Sequence, residues 1–115
     1  MRRERTIGTA TLLALTLCGP ASAADPPPDG AKVYQSNCQS CHGRNGKALP
    51  FYAKKGVPDL NDPEWQKERS DEYIRNVIAE GSEGTVMKAF KKTLSPEEID
   101  AVTKHVRTLG ALPAR

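Results

Sequence analysis

An all-α domain wrapped around a bound cofactor follows from three features of this 115-residue sequence. Apolar residues recur at three- and four-residue spacing behind hydroxyl or carboxylate caps, the mark of short amphipathic helices. No segment alternates β-branched and polar residues as a half-buried strand requires. The third feature is the run Cys38-Gln39-Ser40-Cys41-His42. On a helix, positions i and i+3 share a face, so both thiols can reach the two vinyl groups of one haem edge and become thioethers. His42 follows at once, where its imidazole can turn beneath the porphyrin and offer a nitrogen to the iron as proximal ligand. Two cysteines at this spacing also serve thiol redox chemistry and zinc. The first wants a strand-helix-strand setting, which is missing from the pattern. The second wants a fourth ligand, and the only other histidine, His105, lies far along the chain without a cysteine partner.

The first segment, residues 1–23, reads as a secretory leader. Arg2, Arg3 and Arg5 make a basic start, an apolar stretch runs from Ile7 to Leu17, and Ala21-Ser22-Ala23 is a small-x-small cleavage site. The apolar stretch is short for a bilayer span, so no stable membrane insertion is expected after cleavage. Cys18 follows Leu17, where a lipoprotein signal wants a small residue, and is assigned to the leader. Arg2-Arg3 lacks the residues that follow in a twin-arginine signal, which favours the general secretory route and a periplasmic destination. Cleavage after Ala23 leaves 92 residues, with Cys38 and Cys41 as the remaining cysteines and no pair to spare for a disulfide. It also removes three of seventeen basic and one of fourteen acidic side chains, leaving fourteen and thirteen. A nearly neutral chain does not ask for nucleic acid. Its apolar content is modest for one small domain, so the haem must form a substantial part of the core, and the apoprotein is expected to be largely unstructured.

Residues 24–29 include Pro26-Pro27-Pro28, which favours an extended tether, and the folded domain is expected over 30–115. Asp29 can cap a helix that runs to about Ser40 and carries Val33 and Tyr34. An irregular stretch rich in Gly, Lys and Pro is expected over 43–61. Asp62-Pro63-Glu64 reads as a cap with proline in the first turn, starting a short helix that bears Trp65. Ser70 caps the next helix, whose apolar face is Ile74, Val77 and Ile78 and which Gly81 stops. Ser95-Pro96-Glu97-Glu98 offers a capping box, after which Ile99, Val102, Val106 and Leu109 share one face up to Gly110.

With these residues in place, the chain resembles a class I c-type cytochrome from Gly30 to Leu109, nearly the whole of the expected domain. In that family a glycine and an aromatic residue lie eight and four positions before the first haem cysteine, where the first and last helices cross; Gly30 and Tyr34 match. The resemblance implies a small cytochrome c-like helical domain around one covalent haem c and its iron. Pro58-Asp59-Leu60 is similar to the family's Pro-x-Leu segment, which implies that the Pro58 carbonyl accepts a hydrogen bond from the second nitrogen of His42 and that Leu60 packs on the haem. Met87, the one methionine left after cleavage, stands in the loop where the family places its distal iron ligand. The alternative for Met87 is a gap-filling core residue. Lys88 follows it where the family commonly has proline. Trp65 resembles the indole that donates to a haem propionate, with a hydrophobic plug at the haem edge as the alternative. His105 is read as packing at the helix crossing or as surface.

Iron held by both His42 and Met87 has no open position, and electron transfer needs none. The expected function is therefore a periplasmic one-electron carrier, cycling Fe(III) and Fe(II) in a respiratory chain between redox protein partners, without catalysing a transformation itself. The alternative is a haem c subunit of an exported oxidoreductase complex, leaving monomer and complex both open. A haem sensor or enzyme would need a labile Met87. Lys47, Lys54, Lys55, Lys88, Lys91 and Lys92 flank the expected haem edge, whereas Asp62, Glu64, Glu68, Asp71 and Glu72 gather on the middle helices, a dipole that could steer toward acidic partners.

Overall fold

The computed structural model describes residues 8–15 and 26–111. Arg2, Arg3, Arg5, Cys18 and the Ala21-Ser22-Ala23 cleavage site lie outside the described residues. Six helices and no strand occur among those residues: α1 (Gly30–Asn37), α2 (Gln39–His42), α3 (Pro50–Ala53), α4 (Pro63–Glu68), α5 (Asp71–Glu80) and α6 (Pro96–Leu109).

The Asp29 carboxylate starts α1 by accepting from the backbone N–H groups of Ala31 at 3.0 Å and Lys32 at 3.4 Å. The helix stops earlier than the expected Ser40. Asn37 Nδ2 donates to the Val33 carbonyl at 2.9 Å, competing for an acceptor of the last turn, and Cys38, which still donates to the Tyr34 carbonyl, is stretched to φ −118° as the C-cap. The chain then starts afresh as α2, with His42 N–H on the Cys38 carbonyl at 2.9 Å. The stretch 43–61 also departs from expectation, because Pro50 sits at the first helical position of a single turn, α3. One turn is too short to leave a periodic signal.

The core forms where α1 crosses α6. A Cβ on Gly30 would lie 2.2 Å from the Ala101 carbonyl oxygen, so this close approach admits only glycine without a backbone shift. Tyr34, 2% exposed, fills the crossing and stacks obliquely on His105 with ring centroids 5.0 Å apart. From α6 come Ile99, Val102, Val106 and Leu109, behind the expected capping box of Ser95 and Glu98. Helix α5, capped by Ser70 on the Tyr73 N–H at 3.0 Å, adds Ile74, Ile78 and Ala79, while Val77 stands half-buried at the edge of the face. Phe90 and Leu94 complete the cluster from the loop before α6, drawn in by Phe90 N–H on the Ile78 carbonyl and Lys91 N–H on the Ala79 carbonyl.

Helix α4 is held by polar side chains as well as by Trp65, which packs against the core cluster. Gln66 Nε2 donates to the carbonyls of Leu60 at 2.7 Å and Val106 at 2.9 Å. Arg107 returns from α6 to the Gln66 carbonyl at 2.7 Å, the Gln66 side-chain oxygen, the Arg69 carbonyl and Asp71. This latch fixes the segment that carries Leu60 and Trp65.

Candidate haem site

The break after α1 turns Cys38 inward, buried in the same cluster as Leu60. Cys41 is half-buried, and both are free thiols. Burial, then the neighbouring Cys41, pushes the Cys38 thiol up to about 11. Burial is also the main reason that the Tyr34 phenol titrates far above its ordinary range, which keeps it a donor; its hydroxyl reaches the Gly43 carbonyl at 2.6 Å. That bond ties α1 to the residue directly after His42.

Burial holds the His42 imidazole below its usual pKa, and the backbone carbonyl of Pro58 has a smaller, opposing effect. The carbonyl is thus near enough to act on the ring, yet the buried Nδ1 has no partner at hydrogen-bond distance and angle. These donors fit a covalent haem. Two free thiols flank the start of α2, and a neutral imidazole can give one nitrogen to iron while keeping its proton on the nitrogen nearer an acceptor.

Met87 and Trp65 are half-buried and pack against the cluster that contains Cys38 and Leu60. The Met87 loop turns back through Gly81 at φ +76°, where a Cβ would lie 2.9 Å from the Met87 carbonyl oxygen. Ser82 N–H donates to that oxygen at 3.0 Å, and the Thr85 hydroxyl accepts from the Met87 N–H at 3.2 Å. Arg69, which the sequence reading did not single out, lies over the Trp65 ring at 5.0 Å. A cation beside an indole carries no local sequence pattern. Three residues of the expected charge dipole are engaged internally: Lys91 pairs with Glu80 at 2.8 Å, Asp71 with Arg107, and Glu68 with Arg69 at 3.5 Å. His105 lies at the helix crossing on Tyr34, as expected.

Residues 25–106 match the family model described as cytochrome c oxidase, cbb3-type, subunit III. The chain belongs to that family. Its domain is a monohaem c-type cytochrome domain, so the all-α cytochrome c fold and covalent haem c with iron apply to this member. Among curated proteins, the cbb3-type oxidase subunit FixP of Bradyrhizobium sp. (strain ORS 278) is 36% identical over 81 residues, 70% of this chain and 27% of that protein. The cbb3-type oxidase subunit CcoP of Rubrivivax gelatinosus is 27% identical over 108 residues, 90% of this chain and 34% of its own length. The chain therefore spans about a quarter to a third of these relatives. A solved c-type cytochrome, KustC0563, superposes with a TM-score of 0.67 at 38% identity, over 71% of this chain and 98% of that one.

Proposed function

We propose that this cytochrome domain is the haem c electron-transfer component of an exported oxidoreductase complex, handing single electrons to or from a catalytic subunit. The family match over residues 25–106, with FixP and CcoP oxidase subunits among the relatives, carries this reading and favours it over a free carrier. A free periplasmic carrier is the second reading, favoured by the near-complete coverage of the KustC0563 chain by this one domain. In both, residues 1–23 form a cleaved leader, 24–29 a tether and 30–115 the haem domain.

The bound haem, one per chain, supplies the one-electron Fe(III)/Fe(II) couple. Cys38 and Cys41 would hold its edge as thioethers, and His42 would hold the iron, with the Pro58 carbonyl near enough to act on the imidazole. Leu60 and Trp65, packed in and against the core cluster, would shield the bound group from water. Met87 is assigned as distal ligand; its neutral, soft sulfur favours Fe(II) and sets a higher potential than a second imidazole. With both His42 and Met87 on the iron no substrate position would remain, so the work of these residues would be to hold the group alike in both oxidation states, as electron transfer requires.

Mild detergent extraction of membranes bearing the tagged holoprotein, followed by native mass spectrometry, separates the two readings. Recovery with oxidase-type subunits at fixed stoichiometry is expected; recovery wholly in the periplasmic fraction, as a monomer, refutes the complex.

A further inference from the structure

We propose that Asp59 is a positioning residue for His42: its carboxylate ties down the Pro58-Asp59-Leu60 segment and so sets how strongly the Pro58 carbonyl draws on the Nδ1 proton. The inference rests on the proposed ligation by His42 and assigns to the middle residue of that segment a role in setting the potential.

Proline has no N–H, so Pro58 cannot anchor its own backbone through a donor. Its neighbours must do so. On one side Val57 N–H donates to the Tyr52 carbonyl at 3.1 Å. On the other, Asp59 Oδ1 accepts the Ala48 N–H at 2.8 Å, and Leu60 N–H donates to the Gly46 carbonyl at 2.7 Å. The second contact is close enough that a Cβ on Gly46 would lie 3.0 Å from the Asn61 nitrogen and 3.2 Å from Leu60 Cβ.

The 46–49 segment is itself fastened to the cysteine-histidine turn. Leu49 N–H donates to the Cys41 carbonyl at 3.2 Å, Gly46 N–H to the Gly43 carbonyl at 3.3 Å, and a Cβ on Gly43 would lie 2.0 Å from the Lys47 carbonyl oxygen. The connections form a circuit that runs from His42 to Gly43, across to Ala48 and through the Asp59 carboxylate to Pro58, and it stays open at one place, where the Pro58 carbonyl acts on the imidazole without reaching hydrogen-bond geometry to Nδ1. The Asp59–Ala48 bond is the link in this circuit made by a side chain, and a charged acceptor makes it a strong one. With Nε2 on iron the proton resides on Nδ1. A carbonyl that accepts it well makes the ring a better donor and favours Fe(III); a carbonyl that drifts away favours Fe(II).

The test uses haem-loaded protein carrying Asp59→Ala or Asp59→Asn, the latter keeping an acceptor oxygen without the charge. Asp59→Ala is expected to raise the reduced-to-oxidised ratio at fixed ambient potential at least threefold, about 28 mV at 59 mV per tenfold. Solvent exchange of the His42 Nδ1 proton, read by NMR on the reduced protein, should quicken at least tenfold. Asp59→Asn should recover more than half of both effects. Equal potential shifts in the two variants, with exchange unchanged, overturn the proposal, because the charge then acts only through space. Should Asp59→Ala fail to take up haem, Asp59→Glu decides: it keeps the charge but displaces the acceptor by one methylene, so faster exchange supports the clamp and wild-type exchange refutes it. A wild-type protein with no iron-shifted imidazole signal from His42 refutes the ligand reading itself, a failure separable from wild-type behaviour of the Asp59 variants.

Discussion

Met87 is held by its backbone more firmly than by its side chain. Its carbonyl accepts from Ser82, its N–H is taken by the Thr85 hydroxyl, and Gly81 leaves room for the chain to pass at a φ that other residues rarely adopt. The thioether is half-buried against the core, a setting that suits a ligand and also a packing residue. The two roles differ in what remains after the sulfur is removed. With Met87 as distal ligand, the reduced wild-type spectrum is expected to stay unchanged under carbon monoxide, whereas Met87→Ala should bind the gas with a clear shift of the haem bands and lose potential. A full response already present in wild type refutes ligation by Met87. Lys88, standing where proline would stiffen the loop, has its ammonium over the Phe90 ring at 5.3 Å, so side-chain packing serves there in place of a fixed φ.

At the scale of elements, the crossing of α1 and α6 carries the largest share of close packing. Gly30→Ala places a methyl within 2.2 Å of the Ala101 carbonyl oxygen, which forces the helices apart. Overpacking of this kind costs about 1–3 kcal/mol. Denaturant titration of the haem-loaded protein is expected to show that loss as a lower midpoint at unchanged slope, and an unchanged midpoint would show that the crossing has slack. The two helices were legible in the sequence because their signals are local, a cap, a capping box and a three- and four-residue spacing that each act within one or two turns; their crossing at Gly30 and Tyr34 was implied by the family resemblance. What escaped was not local. The early end of α1 is set by Asn37 reaching back to Val33, and α3 is one turn with no period. Phe90 and Leu94 are single apolar residues in a loop, and only the folded chain shows that α5 draws them in. The Gln66–Arg107 latch joins residues about forty positions apart whose side chains, read in sequence, look like solvated polar faces. The site divides in the same way. Cys38, Cys41 and His42 lie within five residues and point to their chemistry by their spacing, whereas the Asp59–Ala48 link exists only once loops meet and the Arg69–Trp65 pair has no sequence pattern of its own.

For the whole molecule, the balance of size against buried surface makes the prosthetic group part of the fold. A domain of this length buries a smaller fraction of its surface than a larger one and sits close to the threshold of stability. The polypeptide carries a further burden without haem, because its folded form buries the His42 imidazole in the neutral state. The sign follows from proton counting. Burial sets the folded pKa below the unfolded value of about 6.5, so between the two values the unfolded chain binds more protons. Stability of the folded apoprotein therefore rises with pH up to about 6.5, is level above it, and is lost as pH falls below it. Far-UV circular dichroism of the apoprotein should show little helix at neutral pH and a further fall as the solution is acidified from about pH 7 to 5. His42→Gln, which has no proton to gain, should remove that step while leaving the carboxylate-driven loss at lower pH. A wild-type apoprotein whose helicity is level across the interval would mean that His42 is solvated before haem arrives, and that the attached haem, rather than the polypeptide, buries its own ligand.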